Sequence, residues 1–176
     1  MVLVVNNVKS HVSLNESSGL VTSIITTSGN EYDGNYLPDL VEADLEKNLK
    51  AKFKRRITIY AADRGYDDGN NHTVLTNRKL KDAIKLNNYR TQKKDPNKGG
   101  WIQLKKRKTY QKGLKVRYKI ERKFGEAKKH HGFGRCRYRS LQKYHIQTTL
   151  TFMSLNLKEI IKITTGVRLK GAPIKT

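Results

Sequence analysis

An α/β fold is predicted for this chain, and three observations predict it. A β-branched hairpin fills residues 8–27. Two short apolar strand runs, 56–62 and 83–86, alternate with helical patterns. The last third carries two amphipathic helices, of which the C-terminal one is long.

The hairpin rests on Val8, Val12 and Leu14 leading into the turn set Asn15-Glu16-Ser17-Ser18-Gly19, followed by the β-branched run 20–27. Gly29 and Asn30 break that strand. Leu37, Leu40, Val41, Leu45 and Leu49 then recur at helical spacing, with Pro38 near the start where proline is tolerated, so 36–50 is a predicted helix. The strand 56–62 ends on Asp63, and Asp67 and Asp68 suit the N-terminus of a helix running to Leu80. Residues 87–114 lose all periodicity among lysines and arginines, which predicts a mobile basic loop at about 90–114. Val116, Ile120, Phe124 and Ala127 follow the core-facing stripe of the next helix. Ile146, Leu150, Met153, Leu157, Ile160 and Ile161 form a second stripe, suited to a core or partner-packing face.

Charge narrows the function. Thirty-seven Lys and Arg against fifteen Asp and Glu give +22 over 176 residues. The imbalance is one-sided: residues 1–46 hold one Lys and seven acids, net −6, so the remainder carries net +28. Such a field selects a polyanion, with nucleic acid first among them. A single cysteine, Cys136, excludes an internal disulfide framework and a Cys-rich zinc finger, and fits a reducing compartment. Neither a membrane-length apolar run nor a signal-peptide pattern is present, so the expected location is the cytoplasm, at the nucleoid.

Several side chains are candidates for chemistry. Asp63 stands at the carboxyl end of a predicted strand with Gly65 just beyond, a place where α/β folds put functional groups; an Asx-turn or cap is the equally weighted structural role. For Asp67 and Asp68 the capping role is preferred. Arg117, Glu121 and Lys128 fall within about 40° on one stripe of a helix, which makes either a surface ion pair or a carboxylate held between two cations. Trp101 either stacks on a base or pins the basic loop to the body, the second being favoured. In the run 132–139, Arg135, Arg137 and Arg139 alternate with Phe133, Cys136 and Tyr138, a composition suited to a phosphate backbone. His130 and His131 are adjacent, so joint metal ligation is not expected.

Taken together, these segments resemble the DDE transposases of bacterial and archaeal insertion sequences. Ala62-Asp63-Arg64-Gly65-Tyr66-Asp67 is similar to the stretch carrying the family's second catalytic Asp, and Arg117-x3-Glu121-x6-Lys128 to its signature around the catalytic Glu. Leu114 stands where the family usually has Tyr. Less specific similarity covers 9–34 and 132–158, so the resemblance spans most of the chain.

The resemblance implies an RNase H-like domain over 1–163, followed by a basic tail, 164–176. It implies Asp63 and Glu121 as catalytic and metal-binding carboxylates, two Mg²⁺ ions, and phosphate contacts from Arg117 and Lys128; Arg135, Arg137, Arg139 and Trp101 complete the candidate DNA-binding set. Transposon ends and target DNA are the implied partners, with a homodimer acting on paired ends. The family's first Asp lies on a central first strand, upstream of the segment resembled by 9–27. Val2–Val5 forms a strand-like run, but Asn6 and Asn7 follow it, and Asp33 belongs to a loop. The expectation is an RNase H-like fold lacking that first strand, an N-terminally truncated transposase or the second piece of a split frame. The alternative function is a catalytically dead basic DNA- or RNA-binding remnant; a ribosome-associated RNA binder rests on charge alone.

Overall fold

The computed structural model describes residues 2–5, 7–50, 56–136 and 138–167. Arg137 and most of the basic tail lie outside the described residues. The chain is mixed α/β and divides into two compact units, Met1–Glu31 with Tyr118–Thr176, and Tyr32–Arg117. Among the described residues, no helix is long and apolar enough to cross a membrane.

In the first unit, β1 (Val2–Val5), β2 (Val8–Leu14) and β3 (Val21–Ser28) form an antiparallel sheet in that order. Asn7 takes the left-handed conformation (φ 62°) that the tight β1–β2 turn demands, and Val5 pairs with Val8 across it. The predicted hairpin is present, and its turn chemistry is visible. The Asn15 side-chain oxygen accepts the backbone N–H groups of Ser17 and Ser18, both at 3.1 Å, while Gly19 supplies φ 71°.

Period-2 alternation turns Ser10 and Val12 toward α6 (Leu141–Thr165). There the Ser10 hydroxyl meets the Tyr144 hydroxyl at 2.8 Å, and Val12 joins a core built from Phe124, Phe133, Tyr144, Phe152 and Leu155. Asn156 fixes the helix to the sheet twice, accepting from the Val21 N–H and donating to the Val21 carbonyl, each at 2.8 Å. α6 starts on Ser140, whose hydroxyl accepts the Lys143 N–H, and stops at Gly166 with φ 72°.

The buried stripe of α6 is not the one expected. Tyr144, Thr148, Thr151, Phe152 and Leu155 face the sheet, whereas Ile146, Leu150, Met153, Leu157, Ile160 and Ile161 are exposed. The sheet offers hydroxyls as well as methyls on this face, so a partly polar helix stripe satisfies it and leaves the apolar stripe outside.

The second unit places α1 (Leu37–Lys50) before β4 (Ile59–Ala62), then α2 (Gly69–Asn77), β5 (Lys81–Ile84), α3 (Lys98–Lys106) and α4 (Lys108–Val116). β4 and β5 run parallel, with Ala62 opposite Ile84, and α2 makes the crossover between them. Both strands are offset or shorter than expected. The helix after Asp68 ends at Asn77 rather than Leu80, because Lys79 turns left-handed (φ 55°).

The expected basic loop at about 90–114 is helical for most of its length. Trp101 and Leu104, then Tyr110 and Leu114, are spaced three and four apart and pack with Ala83, Leu86, Ile59 and Ala61. Dense lysines and the breaks near Asn97 and Arg107 hide that pattern in the sequence.

α4 lies tight on the parallel pair at Gly113. A Cβ there would collide with the Ala83 methyl and meet Ala61 and Ile59 side-chain carbons at 3.4 and 3.5 Å. Gly113→Ala is therefore expected to cost about 1–3 kcal/mol despite alanine's better helix propensity. Gly125→Ala, on α5 (Tyr118–His131), meets nothing within 4 Å and should gain roughly 0.5–1 kcal/mol. Denaturant midpoints of the two variants, moving in opposite directions, check both statements.

Candidate functional site

Asp63 follows the last residue of β4 in extended backbone (φ −76°, ψ 170°), and a 3₁₀ turn, Arg64–Tyr66, comes next. Its side chain caps nothing. The carboxylate instead forms an ion pair with the Arg117 guanidinium, with side-chain exposures of 28% and 15%. The two residues that the family motif singles out within this unit are thus in direct contact, and the capping role for Asp63 is not what the structure has.

Gly65 lies under the Asp33 side chain at this turn. A Cβ on it would lie 2.9 Å from a carboxylate oxygen of Asp33, so Asp33 rests against the backbone just past Asp63. Burial, followed by the nearby Asp33 charge, pushes the Tyr66 phenol well above its ordinary value. Nothing in the sequence around Asp33 announces that placement, since thirty residues separate it from the turn.

Asp67 corrects another expectation. Asp68 does cap α2, accepting the Asn70 N–H at 2.8 Å, but Asp67 is buried and bonds elsewhere. It accepts the Asn87 N–H at 2.6 Å, the Arg90 Nε at 3.3 Å and His72 Nε2 at 2.9 Å. The other imidazole nitrogen, Nδ1, is held by Asp82 of β5. Burial pushes the His72 ring toward neutrality, but hydrogen bonds and charge from Asp67 and Asp82 outweigh it and raise the pKa to about 9. Burial likewise favours the neutral acid at Asp67, and the His72, Asn87 and Arg90 contacts reverse that, holding its pKa below the ordinary value.

Trp101 belongs to this cluster. Its ring lies 4.7 Å from the His72 ring, the Arg90 guanidinium sits 5.0 Å over it, and its indole N–H donates to Asp95 at 3.1 Å. The ring thus anchors α3 within its own unit, in line with the favoured of its two sequence readings.

The single helix expected over 117–128 is divided. α4 ends at Val116 and α5 begins at Tyr118, with Arg117 between them in helical dihedrals (φ −57°, ψ −31°). Phe124 and Ala127 are core residues as expected, with Ile120 packed against them. On α5, Glu121 and Lys128 are both exposed; seven residues apart, they share one face.

α5 closes with Gly132 at φ 63° and the Phe133 N–H donating to the Ala127 carbonyl at 3.2 Å, a Schellman ending that drives Phe133 into the core. That turn explains the glycine and removes Phe133 from any phosphate-facing set. Arg135 and Arg139 remain exposed beyond it.

A cleft of about 650 Å³ in the first unit lies between the β2–β3 turn, α5 and α6. Four of the five cations that line it are paired in place. Lys119 pairs with Glu16, Lys123 and Lys162 with Glu159 at 2.9 and 2.5 Å, and Lys158 with Glu126 at 3.8 Å. Burial favours the neutral form of Glu159, but Lys162 and Lys123 overcome it and lower its pKa.

Among the described residues, no three His, Cys, Asp or Glu side chains come together as a metal-ligand set. Asp63, as arranged, has its carboxylate on Arg117.

No solved structure matches the chain. A family model described as the transposase DDE domain matches residues 5–157, a span that takes in the Asp63 turn, the Arg117-Glu121-Lys128 motif and most of α6. With that match over most of its length, the chain belongs to the DDE transposase family.

Proposed function

We propose that this chain acts in DNA transposition as a DDE catalytic-region protein, cutting and joining DNA strands by phosphoryl transfer with Asp63 and Glu121 as its reaction-site carboxylates. Family membership supports a role in transposition and a DNA substrate. The observation that carries the site assignment is the Asp63–Arg117 pair. A partly exposed carboxylate at a strand's carboxyl end serves no cap and is held by the arginine of the same family motif. Arg117, Lys128, Arg135, Arg137 and Arg139 are the proposed phosphate contacts. Trp101 is proposed as an anchor for α3. An RNase H-like arrangement is the proposed parent fold, consistent with three antiparallel strands followed by a parallel pair with a helical crossover.

The family's chemistry uses a divalent metal, and Mg²⁺ is the proposed ion on family grounds alone. The described side chains do not assemble three donors for it, so the roles assigned to this chain are DNA binding and the supply of two carboxylates.

The test is strand nicking on a duplex carrying the element's ends, with and without Mg²⁺. Metal-dependent nicking that drops by at least about 10²–10³-fold in Asp63→Asn and in Glu121→Gln, with DNA affinity retained, is the expected result. Wild-type protein that binds DNA with a steep salt dependence but never nicks it would establish the non-catalytic DNA-binding reading instead.

A further inference from the structure

We propose that the outer face of α4, together with the α3–α4 junction at its head, is a separate seat for duplex DNA that grips the phosphate backbone without reading sequence. It rests on the DNA substrate proposed above and lies on residues that the Asp63 and Glu121 motifs do not include. Lys108, Lys112 and Lys115 stand four and three apart, within about 60° on one side of α4. Tyr110, Gly113 and Leu114 occupy the other side and hold the helix against β4 and β5. All three lysines are exposed, as are Lys106 and Arg107 just before them. Among the described residues, none of these five cations is paired with a carboxylate. From Lys85 to Arg117 the chain has twelve Lys and Arg and a single acid, Asp95. That acid is already engaged by the Trp101 indole N–H at 3.1 Å and the Asn97 N–H at 2.8 Å.

The head of α4 makes the same demand for an anion. Its N-cap, Arg107, provides no side-chain cap, and its first turn holds no acid. A helix N-terminus presents unsatisfied N–H groups and partial positive charge, yet here four consecutive cations, Lys105 to Lys108, gather at it. That repulsion destabilises the free protein, and an arriving phosphate offsets it.

Shape and chemistry select the occupant. From Lys108 to Lys115 the stripe runs about 10 Å at 1.5 Å per residue, which is about three nucleotide steps of one strand. Lysine meets phosphate as a point charge on a flexible stem, so such a stripe positions a backbone and reads no bases. Between Lys98 and Val116 no large apolar side chain is exposed. The face therefore lacks the apolar anchors on which a protein interface or a lipid-surface helix depends.

Fluorescence anisotropy of DNA duplexes of arbitrary sequence over a salt series tests the seat without any strand chemistry. Lys108→Gln/Lys112→Gln/Lys115→Gln is expected to bind roughly 10²-fold more weakly near 0.1 M salt. Its slope of log affinity against log salt should be shallower by about 2–3, equally on two unrelated sequences. Glutamine keeps the helix propensity of lysine and all three sites are exposed, so the circular dichroism spectrum and thermal transition should match the wild type. Lys79→Gln/Lys129→Gln/Lys143→Gln removes the same charge from exposed lysines elsewhere and should change the slope by less than half as much. An equal loss in both variants, an unchanged slope in the α4 variant, or stripe-dependent binding that favours an RNA duplex over a DNA duplex overturns the proposal. Nicking reports on the other site separately. A wild type that nicks while the α4 variant keeps its slope removes this seat and leaves Asp63 and Glu121 standing; a wild type that never nicks while the α4 variant loses its slope does the reverse.

Discussion

Replacing His72 with alanine is expected to destabilise the Tyr32–Arg117 unit by about 3–5 kcal/mol, the usual cost of removing one partner from a buried ion pair. The ring bridges two carboxylates contributed by different parts of that unit, Asp67 before α2 and Asp82 on β5, and Trp101 of α3 packs on it. Loss of the imidazolium leaves both carboxylates without their shared counter-charge, although Asp67 keeps the Asn87 N–H and Arg90. Hydrogen exchange should show α2, β5 and α3 losing protection together. Exchange confined to α3 would mean that the ring only supports Trp101.

The same cluster sets a pH dependence of definite sign. With a folded pKa of about 9 against 6.5 unfolded, His72 is charged in both states below pH 6.5, and its contribution is then complete. Between pH 6.5 and 9 the unfolded chain releases the proton while the folded one keeps it, so stability falls by up to about 1.4 kcal/mol per pH unit. Above pH 9 the contribution is gone. Urea midpoints measured from pH 6 to 9.5 should decline in the wild type and lose most of that slope in His72→Ala. A flat wild-type profile would contradict a doubly bonded imidazolium.

Phe133→Ala is expected to cost the first unit about 3–5 kcal/mol. The ring is fully buried, stacked 6.2 Å from Tyr144 and edge-on to Phe152 at 5.3 Å. Tyr144 and Phe152 belong to α6, so this one side chain ties the turn after α5 to the helix that covers the sheet. Chemical denaturation gives the number, and a cost below about 1 kcal/mol would place Phe133 outside the core.

The sequence disclosed those features whose cause is local. The Asn15 turn, Pro38 at the head of α1, the Asp68 cap and the Phe124–Ala127 stripe depend on neighbours within a few residues, and each is present. What stayed hidden depends on distant partners. Asp67 reads as a cap until Asn87 and Arg90 return to it from twenty residues away. Gly132-Phe133-Gly134 reads as a backbone-contact motif until Tyr144 and Phe152 give the ring a place to go. α6 offered a clear apolar stripe, and the sheet accepted the other side because Ser10 wanted the Tyr144 hydroxyl. At the candidate site, Asp63 and Arg117 were each legible as motif residues, but their contact across 54 positions was not.

The division of the chain also fixes an order of events during synthesis. Tyr32–Arg117 is one continuous stretch, complete as a unit once Arg117 has left the ribosome. The Met1–Glu31 sheet is made first, yet the helix whose Tyr144 and Phe152 cover it comes more than a hundred residues later. At roughly 5–20 residues per second, that nascent sheet stays uncovered for about 5–20 s. Chaperone dependence should therefore track Val12 and the β2–β3 ladder, and a circular permutant beginning at Tyr118 would shorten the exposure.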